Sequence, residues 1–148
     1  MGGLAPDRSE EKKGYLEQDI EELKRVIKHS YAPYSGVRVA ALVESASGRK
    51  YFGVNVENAS YGLTICAERS AVAAMIAAGD RRIRRVVILS NTEEPLPPCG
   101  ACRQVLAEFD PEGSSEVVSI SLSTGRTARW KLSELLPFSR LPIGRRSD

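Results

Sequence analysis

Four side chains carry metal chemistry by their type and spacing: Cys66, Glu68, Cys99 and Cys102. They fall in two short stretches, Cys66-Ala67-Glu68 and Pro98-Cys99-Gly100-Ala101-Cys102. Three thiolates fill three corners of a tetrahedral zinc and leave the fourth open, the pattern of a catalytic centre. A structural centre would want a fourth Cys or His. The one histidine, His29, stands near the end of a predicted helix, where a surface role is the commoner one. Glu68 starts close to the metal while the thiols already fill the protein positions. A carboxylate so placed can take a proton from a water on the metal and return it to a leaving group. Alone it would read as an acid in the first turn of a helix, where acids are favoured; beside three convergent thiols it reads as a proton carrier. An odd count of three cysteines also argues for metal or catalysis over a disulfide framework.

Zinc with three thiolates carries a net charge of −1, which makes its bound water less acidic than on three imidazoles. Something positive must offset this. Arg69, next to Glu68, is the candidate donor to the thiolate sulfurs. Arg103, just after Cys102, reads instead as part of a solvated helix face.

The elements that must bring these residues together follow from periodicity. Leu16, Ile20, Leu23 and Ile27 recur at helical spacing, predicting an amphipathic helix over residues 12–30. Tyr31 to Gly36 breaks it. Strands over 37–44 and 51–56 form an antiparallel hairpin around a turn at 45–49. A polar loop over 55–64 leads to an Ala-rich helix from Cys66 to Ala78, stopped by Gly79. The apolar run in 85–90 suits a strand covered on both faces. A Pro-rich loop then opens a helix at about 100–109, followed by strands at 117–122 and 127–132 and a short helix at 133–136. The link around Ser123 to Arg126 is too short for a crossover, so the last two strands must be antiparallel. The order predicts an α/β fold of three layers, a sheet between helices. Both cysteine stretches open helices that follow strands, and such helix starts gather along one sheet edge, where ligands bind. Their positive ends favour the thiolate form.

The chain of 148 residues predicts one domain over residues 12–140, with flexible tails at 1–11 and 141–148. A net charge of +2 is too balanced to predict a grip on nucleic acid, and no apolar run approaches the ~20 residues of a membrane helix. The first residues lack the apolar core of a signal peptide, and Pro6 stands where a myristoylation signal wants Ser or Thr. A cytoplasmic protein is expected, with no nucleic-acid or membrane partner. The run Arg81-Arg82-Ile83-Arg84-Arg85 reads as a solvated loop or a subunit contact.

The two cysteine stretches match the zinc-deaminase signature of Cys-x-Glu followed by Pro-Cys-x-x-Cys. More closely, the chain resembles the small homotetrameric zinc-dependent cytidine deaminases. The matching blocks are Tyr31-Ala32-Pro33-Tyr34-Ser35, Asn55-Val56-Glu57-Asn58-Ala59-Ser60-Tyr61, Cys66-Ala67-Glu68-Arg69, Pro98-Cys99-Gly100-Ala101-Cys102-Arg103-Gln104 and Glu134-Leu135-Leu136-Pro137. The resemblance implies a five-stranded mixed sheet between helices, its last two strands antiparallel, assembled as a homotetramer with active sites shared between subunits. It implies one zinc per subunit on Cys66, Cys99 and Cys102, with Glu68 shuttling the proton and Arg69 tempering the thiolate charge. Asn55 and Glu57 would hydrogen-bond the ribose, Ala59 and Tyr61 would reach a neighbouring subunit's nucleoside, and the Ala67 backbone would help hold the pyrimidine. The implied reaction is hydrolytic deamination of cytidine and 2'-deoxycytidine to uridine and 2'-deoxyuridine plus ammonia, a step of pyrimidine salvage. Glu57 beside the sugar suits an unphosphorylated substrate, since it would repel a phosphate.

The chain departs from the family's pattern in three places. After Tyr34-Ser35 the family usually has x-Phe-x-Val-Gly, the Phe packing on the base; here Gly36-Val37-Arg38-Val39-Ala40 puts Val37 in that substrate-binding position, with less area and no stacking geometry. Ala40 replaces the Gly. Near the end, Phe138 follows Leu-Leu-Pro at once, where the family places its Phe a few residues later. Either the pocket is repacked, with Phe138 compensating, or the preferred substrate differs. Two alternatives remain: a deaminase of a related aminopyrimidine nucleoside such as blasticidin S, and a zinc-containing binding module without turnover.

Overall fold

The computed structural model describes residues 15–139 and 143–144. The expected tails at 1–11 and 141–148 therefore lie outside the described residues, save Ile143 and Gly144, and so does the expected helix start at 12–14. The chain runs α1 (Glu17–Ile27), β1 (Val39–Ser45), β2 (Lys50–Val54), a 3-10 turn (Tyr61–Leu63) and α2 (Ala67–Ala77). It continues β3 (Ile83–Ser90), α3 (Gly100–Glu108), β4 (Glu116–Ser121), β5 (Thr127–Lys131) and α4 (Leu132–Leu135).

The strands form one sheet in the order β2-β1-β3-β4-β5. β3 and β4 are parallel and the other three pairings antiparallel, the hairpin β4–β5 included. Strand alternation divides the sheet into two apolar faces. Ala40, Leu42, Val87, Leu89, Val118 and Ile120 pack under α1, which contributes Ile20, Leu23 and Ile27. Ala41, Val43, Val86, Ile88 and Val117 pack under α2 and α3, which contribute Ala71, Met75 and Leu106. β3 is apolar on both faces because it is covered on both.

Every predicted element is present, with boundaries displaced by a few residues. The first strand begins at Val39 and not at residue 37, because past the ends of β2 and β3 the backbone of residues 36–38 is held largely by asparagine side chains, with one backbone bond from Asn91. The arginine run is the larger correction. Ile83, Arg84 and Arg85 belong to β3. Arg85 points to the α1 face, where its Nη1 lies 2.7 Å from Asp19 Oδ2 and its Nη2 3.1 Å from Glu44 Oε1. Arg84 also pairs with Glu44, and Lys50 Nζ lies 2.8 Å from Asp19 Oδ1. Charge pattern alone could not show this, because the partners come from α1, β1 and β2. Arg103 is not a solvated side chain either: it donates to the carbonyls of Pro98 (2.8 Å) and Leu135 (3.1 Å), tying the start of α3 to α4.

Candidate active site

α2 and α3 both begin at the same edge of the sheet, and each has a cysteine as its N-cap residue, Cys66 and Cys99. The position of α2 is set by Gly53 of β2. A Cβ there would stand 2.4 Å from both the Ala67 carbonyl oxygen and the Ala71 nitrogen, so helix and strand touch backbone to backbone. Cys102 lies one turn into α3 and is buried.

The three Sγ atoms lie within 4.8 Å of one another. Cys66 and Cys99 are 3.7 Å apart, and Cys99 and Cys102 are 3.2 Å apart. Zinc–sulfur bonds of about 2.3 Å in a tetrahedron place sulfurs about 3.8 Å apart, so the group needs only small adjustments to hold the ion. The local field favours a thiolate at Cys66. The Cys102 amide donates to Cys99 Sγ (3.4 Å), and Arg69 Nη2 lies 3.6 Å from Cys66 Sγ and 3.4 Å from the Thr64 carbonyl. A hydrogen bond from the Cys102 thiol, with Arg69 beside it, pulls the Cys66 thiol down to about 5. The same pairing pushes Cys102 up. Three soft sulfur donors, one already biased to its anion, suit zinc in kind and in number. His29 is exposed and lies outside this group.

Glu68 sits inside the first turn of α2, 5% exposed, and burial raises its carboxyl above the ordinary range. It faces a cavity of about 280 Å³ lined by Val37, Val39, Asn55, Glu57, Ile65, Cys66, Ala67, Ile88, Leu96, Pro97 and Cys99, among others. Cys66, Cys99 and Glu68 share this lining with Asn55 and Glu57 and with several aliphatic side chains, and no aromatic side chain is among the lining residues. Asn55 is buried. Its Oδ1 accepts from the Val39 amide (2.9 Å) and the Ser30 hydroxyl, and its Nδ2 donates one hydrogen to the Val37 carbonyl (2.8 Å). Glu57 accepts from the amides of Tyr34 (2.9 Å) and Ser35 (3.1 Å) and from the Ser35 hydroxyl, and that hydroxyl chiefly holds its carboxyl below the usual range.

Ala59 and Tyr61 are not brought into this cavity. Both are exposed, Tyr61 to 78%, and Tyr61 lines a shallower neighbouring cavity with Tyr34, Ser35, Glu57, Asn58 and Thr64. The rings of Tyr34 and Tyr61 meet edge to face with centroids 6.3 Å apart. Phe138 does not compensate for Val37 within the described chain: it is fully exposed, at a φ of 54°, beside Pro111, Leu132 and Leu136. Residues that motif reading passed over are Ser30, Ser35, Leu96 and Pro97. Gly53 was findable, since a glycine inside a strand pattern marks close backbone approach.

Three convergent thiols with an open side, beside a buried carboxylate in a small cavity, define a zinc-dependent hydrolase of small molecules. Residues 15–118 match the family described as the cytidine and deoxycytidylate deaminase zinc-binding region. A cytidine deaminase of Halalkalibacterium halodurans is 40% identical over 118 residues, covering 80% of this chain and 88% of its own length. One from Sporosarcina psychrophila is 38% identical over 122 residues, covering 82% and 88%. The crystal structure of cytidine deaminase from Burkholderia pseudomallei superposes with a TM-score of 0.76 at 38% identity, over 83% of this chain and 98% of that one. The chain belongs to the cytidine and deoxycytidylate deaminase family, and it is a zinc-dependent enzyme of that family.

Proposed function

We propose that the enzyme hydrolyses cytidine and 2'-deoxycytidine to uridine and 2'-deoxyuridine, releasing ammonia, as a step of pyrimidine salvage in the cytoplasm. The observation that carries the reading is one cavity lined both by Cys66, Cys99 and Glu68 and by Asn55 and Glu57. That lining suits a flat ring beside the thiols and a sugar beside the amide and carboxylate. Cys66, Cys99 and Cys102 would hold the zinc, which when bound would supply Lewis acidity and make a water nucleophilic near neutral pH. Glu68, buried beside the thiols, would take a proton from the attacking water, pass it to N3 and later supply one to the departing amine. The Ala67 backbone borders the ring. The second amide hydrogen of Asn55 has no partner among the described residues, and Glu57 Oε2 accepts only one bond, so both retain capacity for a sugar hydroxyl. Arg69, at 3.6 Å from Cys66 Sγ, offsets the thiolate charge.

We place the enzyme in a homotetramer. Ala73, Ala74 and Ala77 leave an exposed apolar face on α2, and Tyr31, Tyr34, Tyr61, Leu63 and Ile65 are exposed as well. In such an assembly Ala59 and Tyr61 would face a neighbouring subunit's nucleoside. Three free cysteines suit a reducing compartment, and no described helix is long and apolar enough to cross a membrane. The aliphatic wall at Val37 favours one other substrate, a cytosine nucleoside with a bulkier attachment such as blasticidin S.

The test is ultraviolet absorbance of the zinc-loaded protein with cytidine, deoxycytidine or blasticidin S, on a fraction that sediments as four chains. Conversion of the first two, abolished by a chelator and restored by zinc, is the expected result. Turnover of blasticidin S alone would replace the substrate assignment. No turnover of any of the three by folded, zinc-loaded protein would return the chain to a binding role.

A further inference from the structure

We propose that Asn91 is a positioning residue of this site: opposite Asn55, it clamps the backbone of residues 36–39 and so fixes Val37 in the cavity wall. The proposal rests on the reading of that cavity as a nucleoside site.

In an extended chain the polar groups of successive residues face opposite neighbours. Just before β1, residues 36 and 38 face the β3 side and residues 37 and 39 the β2 side. Neither flanking strand reaches that far, because β2 ends at Val54 and β3 at Ser90. The next residue in each is an asparagine. On one side the Asn91 amide donates to the Arg38 carbonyl (3.1 Å), its Oδ1 accepts from the Arg38 amide (2.9 Å) and its Nδ2 donates to the Gly36 carbonyl (2.9 Å). On the other, Asn55 donates from its backbone to the Val39 carbonyl (3.2 Å), while its side chain takes the Val39 amide and the Val37 carbonyl.

A side-chain amide offers the same donor and acceptor as a peptide group. The two asparagines therefore continue both ladders past the point where the flanking backbones leave. That departure is what the site needs. After Asn55 the chain turns to present Glu57, and after Asn91 it turns towards Leu96, Pro97 and Cys99, all of which line the cavity. Ser35, Val37 and Val39 also line it. Gly36, at a φ of 72°, lies within the clamped stretch, so backbone freedom there is restrained by these bonds. Asn91 itself is exposed and is not among the lining residues, so it acts through Val37 and its replacement opens no buried void.

Asn91→Ala and Asn91→Asp test this, each alone and with Val37→Ala, by cytidine kinetics, zinc content and amide hydrogen exchange. The aspartate keeps an acceptor for the Arg38 amide but sets an oxygen against the Gly36 carbonyl. Both single variants should keep their zinc and a kcat within about two-fold while KM rises about five-fold, and in Asn91→Ala the Arg38 amide should exchange about ten-fold faster. In the Val37→Ala background the effect on KM should shrink below about two-fold, since coupled residues are not additive. An unchanged KM, or an equal KM effect with and without Val37, overturns the proposal. If the wild type turns over no cytidine, the nucleoside reading fails separately. The exchange result then decides: unchanged Arg38 protection in Asn91→Ala rejects the clamp, and lost protection upholds it.

Discussion

Glu68 has the surroundings of a group that must hold a proton in one step and release it in the next. It is buried, and that burial, with the negative Cys66 nearby, raises its carboxyl, while its place in the first turn of α2 keeps it beside the thiols. Glu68→Gln preserves volume and removes the titrating oxygen. General acid–base catalysis contributes about 10²–10⁴-fold, so kcat should fall by that factor with zinc content unchanged and KM within a few-fold. A kcat within ten-fold of wild type would take Glu68 out of proton transfer. Cys66, Glu68, Cys99 and Cys102 were legible in the sequence because zinc chemistry demands particular atoms at particular spacings. The internal bonds of Asn55 and Glu57 were not. Those side chains satisfy backbone groups 16 to 23 positions away along the chain, which no local motif encodes.

At the scale of elements, the site depends on how closely α2 can lie on β2. The contact at Gly53 is between backbones, so a methyl group has nowhere to go without moving the helix that carries Cys66, Glu68 and Arg69. Gly53→Ala should destabilise by about 1–3 kcal/mol, the usual cost of overpacking. For a chain of this size that lowers Tm by roughly 2–4 °C per kcal/mol. Turnover of the folded protein should fall as well, because the displaced helix carries Cys66 and Glu68, the proposed proton carrier. An unchanged Tm and kcat would show that α2 can shift freely. The helices, the hairpin and the antiparallel last pair were readable from period, turn residues and link length. The start of β1 was not, because residues 36–38 look like strand in composition and are held by asparagine side chains in place of a strand. Arg85 looked like solvent-facing charge because its acidic partners sit in α1 and β1, whereas Arg84 does face solvent while pairing with Glu44.

At the scale of the whole molecule, those charges tie the α1 layer to the sheet on the face opposite the active site. Asp19 is fully buried and Glu44 nearly so, and Asp19 also caps α1 by accepting from the Leu16 amide at 2.7 Å. Burial alone would raise both carboxyls. Hydrogen bonds from Arg85, joined by Lys50 at Asp19 and Arg84 at Glu44, outweigh it and hold both below their ordinary values of 3.8 and 4.5. A carboxyl depressed in the folded state adds stability above its unfolded pKa and loses it as pH falls through the folded value. The network therefore supports the fold at neutral pH, starts to weaken as pH falls past the ordinary values of 3.8 and 4.5, and is lost only as pH falls through the depressed folded values. Breaking a buried pair by removing one partner costs about 3–5 kcal/mol, because a buried charge is left uncompensated. Arg85→Met should lose about that much stability at pH 7. Its deficit against wild type should narrow as pH falls from 6 to 3, since protonation relieves the buried carboxyls that keep only Lys50 and Arg84 in the variant and weakens the pairs in wild type. Denaturant unfolding of both proteins across that range measures the difference directly, while kcat of the folded variant at pH 7 should stay within about two-fold. A deficit that stayed constant with pH would mean that Arg85 stabilises the sheet by packing its stem, with its charge carrying nothing.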